Sequence, residues 1–420
     1  MIVELINTGT ELMVGRVLNT HQQWICRRMA DLGYVITRQV AIADSAGEIR
    51  QAVREALCRA GLVICTGGLG PTSDDLTRDL IAELLGKPLR EDAALLGHIK
   101  GFFDARNRAM PELTRVQAQV PEGALVLPNP NGTAPGLAMK VDPNPLQNGG
   151  APAWLIMLPG PPRELRPMFS ESVVPLLRRE LPLNMPFVCS TLRTAGIGES
   201  IVQEMIHDPL AHLVASGLEV GYCARPWQVD IRLAARGTQA EKLVRESELI
   251  VRQHLNKSIF AANDEDLPYI IIQTLAERKE TLVLAESCTG GYITNQLTNI
   301  PGASAVVLAG LVTYSNQAKK KLLGIQSEVL EEHGAVSKAV AEQMAEGARK
   351  EFQSNYALAV TGIAGPGGGT PAKPVGTVFI ALSGPFETVV QQHLNPYDRE
   401  TFKQVTSQQA MELLRRRVPK

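Results

Sequence analysis

Residues 281–300 read Thr281-Leu-Val-Leu-Ala-Glu-Ser-Cys-Thr-Gly-Gly-Tyr-Ile-Thr-Asn-Gln-Leu-Thr-Asn-Ile300. The apolar run Thr281–Leu284 is strand-like, while Ile293, Leu297 and Ile300 recur at i, i+4 and i+7, the spacing of one helical face. Ser287 therefore falls in a small-residue turn between a strand and a helix, where backbone N–H groups point outward and attract anions. Such a turn can hold a nucleophile, an oxyanion or a phosphate.

The same alternation extends outward from this turn. Strands are expected at Thr281–Leu284, Ala305–Leu308, Tyr356–Val360 and Gly376–Leu382. Ser337 precedes a helical pattern with Val340, Met344, Ala348 and Phe352 on one face, and reads as its N-cap. Towards the N-terminus, the apolar runs Ile2–Ile6, Leu62–Cys65 and Trp154–Leu158 each end in a Gly/Thr/Pro turn, with helical stretches such as Thr20–Leu32 and Glu48–Ala60 between them. Pro143–Pro152 reads as a flexible loop inside that domain. In the middle, a helix is expected over Gly198–Ile206 and strands over Leu218–Cys223 and Gln228–Ala234. A charged helix, Gln239–Leu255, follows. Arg225, Arg232 and Arg236 of this segment read as a solvated strand face. The fold class is α/β: two three-layer α/β domains, 1–170 and 261–420, separated by a small α+β module over 171–260.

Composition narrows the function. A net charge of −1 argues against sequence-independent nucleic-acid binding, and an aromatic content of 5% argues against stacking platforms for single strands. The longest apolar stretch, around Ala303–Val312, is too short to cross a bilayer. The chain enters a strand-like segment at once, without a basic leader or cleavage pattern, so a cytoplasmic location is expected. Cys26, Cys58, Cys65, Cys189, Cys223 and Cys288 form no Cys-x-x-Cys pair and read as reduced, mostly buried thiols. His207 and His212 stand five apart, off a shared helical face, and give no zinc pattern.

Partners for Ser287 lie nearby in sequence. Val312-Thr-Tyr-Ser-Asn-Gln-Ala-Lys319 is followed by two more lysines, and Ala359-Val-Thr-Gly-Ile-Ala-Gly-Pro-Gly-Gly-Gly369 is a strand running into a glycine-rich loop. No histidine shares a motif with Ser287, so a nucleophilic serine here needs another base. A desolvated lysine is the standard alternative, provided burial or a neighbouring cation lowers its pKa. Lys319 adjoins a hydroxyl-rich turn, whereas Lys320 and Lys321 read as surface charges. Each feature also has a plain explanation: a serine N-cap, solvated lysines, a tight glycine connection. Their joint presence in one small α/β domain favours chemistry.

Five segments, AESCTGG, VTYSNQAK, HGAVS (333–337), VTGIAGPGGG and KPVGTV, resemble in order and spacing the C-terminal domain of the CinA family (competence/damage-inducible protein A). That domain is a nicotinamide mononucleotide amidohydrolase. The resemblance implies that Ser287 is the nucleophile, Lys319 its activating partner and Tyr314 a third catalytic residue. It implies substrate contacts from Thr289, Gly290, Gly291, Thr361, Gly362 and Arg399. Related chains often have Gly-Asp-Arg where this one has Tyr397-Asp-Arg. No cofactor is expected for the amidase step, and the oxyanion is expected on N–H groups of the Cys288–Gly291 turn.

The N-terminal domain carries its own set. Gly67, Gly68 and Gly70, in Cys65-Thr-Gly-Gly-Leu-Gly-Pro-Thr-Ser-Asp-Asp-Leu-Thr-Arg-Asp79, allow close approach to a phosphate. Glu11, Asp74, Asp75 and Asp79 are hard oxygen donors suited to Mg²⁺ between substrate phosphates, although Asp74 and Asp75 equally read as caps of a helix beginning near Leu76. These segments, with Pro128–Gly136 and Leu158–Leu165, also resemble the CinA family, whose first domain is similar to molybdopterin-binding proteins and is associated with metal-dependent ADP-ribose pyrophosphatase activity. The resemblance implies a divalent metal (Mg or similar) on Glu11, Asp74 and Asp75, and a nucleotide site that includes Gly67, Gly68, Gly70, Thr77 and Asn131. His21 stands where Asn is common, Ser73 where His is common, and Pro162 where another residue is usual. The expected partners are nicotinamide mononucleotide and ADP-ribose, with no membrane and no direct nucleic-acid contact, in a homodimer. The alternative is a nucleotide- or pterin-binding regulatory protein without turnover.

Overall fold

A computed structural model describes residues 1–263 and 265–418, and the chain divides into two compact units, Met1–Val188 and Cys189–Lys420. The strands of the first unit are β1 (Val3–Thr8), β2 (Arg38–Ile42), β3 (Leu62–Thr66), β4 (Leu89–Glu91), β5 (Gln119–Pro121), β6 (Leu125–Leu127), β7 (Gly136–Val141) and β8 (Ala153–Leu158). Six of them form one sheet in the order β2-β1-β3-β8-β7-β6, while β4 and β5 pair separately. The pairs β1/β2, β1/β3 and β3/β8 are parallel; β8/β7 and β7/β6 are antiparallel.

Continuous apolar runs make the central strands, because helices cover both faces of the sheet. β3 is buried throughout. Its Val63 and Cys65 pack with Ile49, Val53 and Ile81 on one face, and its Leu62 and Ile64 with Ile25, Met29 and Phe169 on the other. Phe169, Val173 and Leu177 belong to that second cluster, so this unit continues past the expected boundary at 170. The loop Pro143–Pro152 lies between β7 and β8 and is anchored, because buried Asn144 donates its side-chain amide to the Leu57 carbonyl at 2.8 Å.

β9 (Phe187–Ala195), which starts two residues before the division, pairs in the second unit with β10 (Glu219–Arg225), β11 (Gln228–Arg236) and β12 (Ile259–Ala262) in a sheet of order β10-β11-β9-β12. The helices of this module are Glu199–Ala215 and Ala240–Leu255. The first runs through Pro209, well beyond the expected Ile206. A second sheet contains β13 (Leu282–Glu286), β14 (Val307–Val312), β15 (Tyr356–Gly362), β16 (Thr377–Ser383) and β17 (Thr388–Leu394), ordered β14-β13-β15-β16-β17. Its β13/β14 and β13/β15 pairs are parallel and the remaining two antiparallel.

This sheet is also sandwiched between helices. Leu282 and Leu284 pack with Ile271, Ile293 and Phe402, and Val283 and Ala285 with Val340, Met344 and Ala348 on the opposite face. Ser337 caps the helix Lys338–Phe352 by accepting from the Val340 N–H. The helix after the Ser287 turn is short, Tyr292–Thr298, and half-buried Ile300 falls beyond it. Ala195, Phe260 and Ala261 of the small module share the first of these clusters with the last domain; the two are one body.

The thiols depart from expectation. Cys65 and Cys288 are buried, but Cys26 and Cys189 are half-buried and Cys58 and Cys223 exposed, all six free. Among the described residues no helix is long and apolar enough to cross a membrane.

Candidate active site

β13 has β14 on one side and β15 on the other, all three parallel, so the turns that follow them meet at one edge of the sheet, the strands' carboxyl ends. Ser287 stands there, one residue past β13, held by its N–H bonding to the Val360 carbonyl of β15 at 3.0 Å. From the other side comes the turn after β14. The Thr313 N–H bonds the Glu286 carbonyl at 2.8 Å. Ser315 then caps the helix Asn316–Leu323 by accepting from the Ala318 N–H.

That cap aims Lys319 inward. Its side chain is 1% exposed, and its Nζ lies 3.0 Å from Ser287 Oγ, 2.8 Å from the Thr313 carbonyl oxygen and 3.4 Å from that of Tyr314. Among the described residues no carboxylate pairs with it. Burial consequently holds its pKa below the ordinary 10.5. A neutral amine fits these neighbours: two N–H groups for two carbonyls, and a lone pair for the serine hydroxyl. Cys288, next in sequence, is not a competing nucleophile, because burial pushes its thiol up to about 12.

The helix N-terminus behind Ser287 is not an open anion site, contrary to the expectation from the turn. Glu286, fully buried, fills it. Its Oε2 accepts from the N–H groups of Gly291 (3.0 Å) and Ile293 (3.2 Å), and its Oε1 from the N–H (2.8 Å) and hydroxyl (2.7 Å) of Thr294. The Gly290 N–H is also used, on the Ser287 carbonyl at 3.2 Å. The N–H groups of Cys288 and Thr289 have no oxygen partner among the described residues and lie against the Cys288 sulfur.

The remaining expected residues sit at varied depths. Thr289 is fully buried, its hydroxyl without a partner among the described residues. Thr361 is 1% exposed and donates its hydroxyl to the Ala335 carbonyl at 2.8 Å. Gly362 lies against β16, where a Cβ would come 2.8 Å from the Thr377 carbonyl. Tyr314 points outward, 62% exposed, and its hydroxyl accepts from Arg399 Nη2 at 2.9 Å; Arg399 Nη1 donates to the Gly365 carbonyl at 2.9 Å. Arg399 thus ties the Tyr314 turn to the glycine-rich loop.

In the first unit, the turns after β1, β3 and β8 surround a cavity of about 380 Å³. Glu11, Gly67, Gly68, Gly70, Asp74 and Asp75 all line it. Gly67 and Gly68 have φ of 95° and 68°, and a Cβ on Gly68 would come 2.1 Å from Thr77 Oγ1. Thr77 is fully buried, its hydroxyl unpartnered among the described residues. The helix starts at Thr77 after Leu76 with no side-chain cap, so Asp74 and Asp75 do not cap it. Asp75 instead accepts from the N–H and hydroxyl of Thr72. Asn131 is exposed and outside the lining, its N–H bonding buried Asn129, whose side-chain amide in turn donates to the cavity carboxylate Glu164 at 2.8 Å. No three His, Cys, Asp or Glu among the described residues converge closely enough to hold a metal alone.

The chain resembles known proteins along its whole length. A competence-damage inducible protein of Symbiobacterium thermophilum is 44% identical over 91% of this chain and 89% of its own. The corresponding protein of Caldicellulosiruptor bescii is 40% identical over 100% and 99%. Family profiles match in three places: CinA C-terminal domain at 264–418, Damage-inducible protein CinA KH domain at 190–261, and Probable molybdopterin binding domain at 4–179. The chain belongs to the CinA family. A solved competence/damage inducible protein from Agrobacterium tumefaciens is 43% identical, covering 35% of this chain and 91% of that one, with a TM-score of 0.35.

For this CinA-family chain, sequence reasoning missed Glu286 and Glu164. Glu286 had a readable signal, a carboxylate closing an apolar strand directly before a glycine turn. Glu164 had none, since only the fold brings it to Asn129. The KH module contains no Gly-x-x-Gly, the loop with which KH domains clamp nucleotide backbones. Its Asp230 is instead paired with Arg193 and Arg225.

Proposed function

We propose that the C-terminal domain deamidates nicotinamide mononucleotide to nicotinic acid mononucleotide and ammonia. The observation that carries this is the buried Lys319 amine at 3.0 Å from Ser287 Oγ, with no carboxylate among the described residues to hold it charged. Ser287 Oγ attacks the carboxamide carbon while Lys319 Nζ takes its proton. The tetrahedral oxyanion is met by the N–H groups of Cys288 and Thr289. The C–N bond then breaks and Lys319 returns the proton to the leaving ammonia. Water attacks the acyl-enzyme, giving its proton to Lys319; the C–Oγ bond breaks and Ser287 regains a proton. Ammonia release from nicotinamide mononucleotide by the full-length protein tests this. No release would overturn it and favour the alternative of a binding protein without turnover. A cytoplasmic homodimer belongs to the same proposal, and light scattering of the purified protein tests the dimer.

We further propose that the N-terminal domain hydrolyses ADP-ribose in a metal-dependent manner. The supporting observation is charge. Glu11, Asp44, Asp74, Asp75 and Glu164 line the cavity, and among the described residues no Lys, Arg or His does. A pyrophosphate entering alone would meet only like charge, so it must bring a counter-cation. The donor set fits one: hard carboxylate oxygens, too dispersed for an all-protein cage, suit Mg²⁺ shared with substrate phosphates. Glu11, Asp74 and Asp75 would hold it, and it would supply charge neutralisation on the phosphates. Gly67 and Gly68 let the substrate approach the backbone, and the similarity to a molybdopterin-binding profile supports a site for a nucleotide or pterin head group. ADP-ribose hydrolysis assayed with and without added Mg²⁺ tests the reading; metal-independent hydrolysis would overturn it.

A further inference from the structure

We infer that Lys403 recognises the phosphate of the amidase's nucleotide substrate, an inference that rests on the amidase reading of the Ser287 site. A phosphate near a strand–helix turn usually sits on the helix N-terminal N–H groups. Here that place is taken, because Glu286 already accepts from Gly291, Ile293 and Thr294. The negative end of a mononucleotide therefore needs a side-chain cation close to the turn but outside it.

Lys403 occupies that position. It lies on the helix Arg399–Arg417, next to fully buried Phe402, which fixes the helix against the sheet. Its Nζ is 3.8 Å from where a Cβ on Gly290 would stand, and 5.6 Å from the centroid of the Tyr292 ring. Gly290 closes the turn begun at Ser287, through the bond from its N–H to the Ser287 carbonyl, so the ammonium stands within one turn of the nucleophile. The absence of a side chain at Gly290 leaves the space above the turn open to it.

The other basic side chains around the Ser287 turn among the described residues are engaged: the Lys319 amine with Ser287, Arg399 with Tyr314 and the Gly365 carbonyl, and Lys373 with the His333 carbonyl at 2.8 Å. Lys403 is half-buried, and among the described residues no carboxylate pairs with it. A partly desolvated cation resting on an aromatic face is short of a counter-ion. A phosphate monoester supplies one, and an ammonium point charge binds phosphate without a fixed fork geometry.

The test uses full-length wild type, Lys403→Met and Lys403→Arg, with nicotinamide mononucleotide as substrate and ribose 5-phosphate as competing ligand. Loss of a charge-assisted contact should raise both KM and the inhibition constant of ribose 5-phosphate on the order of tenfold to a hundredfold in Lys403→Met. The loss should fall on KM rather than kcat, and Lys403→Arg should recover most of it. Unchanged KM and inhibition constant in Lys403→Met would overturn the inference and leave the amidase standing, as would a fall in kcat alone. Should the wild type release no ammonia, the amidase reading fails separately. Calorimetric titration with ribose 5-phosphate then decides: binding weakened by Lys403→Met supports the phosphate site, and equal binding overturns it.

Discussion

Lys319 Nζ stands 3.0 Å from Ser287 Oγ, and its two other polar neighbours are backbone carbonyls, those of Thr313 and Tyr314. Carbonyls can accept from an amine but cannot neutralise an ammonium. The pair is therefore built for a lysine that gives up its proton, and the removal of either member should be close to complete in effect. Ser287→Ala and Lys319→Ala should each lower the rate of ammonia release by about 10²–10⁴-fold or more. Lys319→Arg should be equally inactive, since a guanidinium keeps its proton at any working pH. Retained turnover in Ser287→Ala would remove the serine from the mechanism.

The pH dependence follows from the direction of the Lys319 shift. Burial lowers its pKa from 10.5 in the folded chain, so the active neutral amine accumulates as pH rises through that lowered value. The rate of ammonia release should climb with pH on a limb below 10.5, and the limb should vanish in Lys319 variants. Stability follows the same sign. Between the folded pKa and 10.5 the unfolded chain binds a proton that the folded chain does not, so stability rises with pH across that window. Below it the cost of the buried ammonium is fully present. Denaturant midpoints that fall with pH in that window, relative to Lys319→Met, would contradict the assignment.

Glu286 should be worth more to folding than to proton transfer. Four donors converge on its two oxygens, and Glu286→Gln would turn an amide N–H₂ against some of them. A destabilisation of about 2–4 kcal/mol is expected, from unmade buried hydrogen bonds. Urea unfolding measures it. A change within about 0.5 kcal/mol, the range of ordinary surface substitutions, would mean the carboxylate does not organise the turn.

Tyr314 offers a sharper distinction. Its hydroxyl is exposed and bonded to Arg399, not to Ser287 or Lys319. Tyr314→Phe loses one solvent-exposed polar contact, typically below about 1 kcal/mol, so kcat/KM should fall by less than about tenfold. A thousandfold drop would place the phenol in the proton path after all.

The two proposed activities should separate cleanly with a chelator. EDTA should abolish the proposed ADP-ribose hydrolysis, since five carboxylates and, among the described residues, no basic side chain line the cavity. Ammonia release should be unaffected, because its base is an amine. Parallel assays on one preparation check this; loss of both activities together would tie the amidase to a metal.

Much of this arrangement was legible in the sequence because its parts are local. The Ser287 turn, the Ser315–Lys319 segment and the glycines after β3 are each contained within a few residues, and short motifs announce them. What stayed hidden depends on contacts between distant segments. The helix Arg399–Arg417 buries Thr406, Ser407 and Gln409 beside Met411 and Leu414, so its pattern is not that of an amphipathic surface helix. Those polar groups are satisfied within the fold, as where Asn395 bonds Thr406 and Gln409. The helix expected over Gly198–Ile206 likewise runs on to Ala215, through Pro209. The expected boundary at 170 failed because Phe169–Leu177 returns to the core of the first sheet, a contact that no local pattern encodes.

Cys288 carries a last consequence. Burial pushes its thiol up to about 12, so it stays protonated near neutral pH, and peroxides attack the thiolate form. The groups proposed to do the chemistry beside it are an alcohol and an amine, neither of which peroxide readily consumes. On the proposed mechanism, ammonia release should survive a peroxide treatment that would silence a cysteine-based hydrolase.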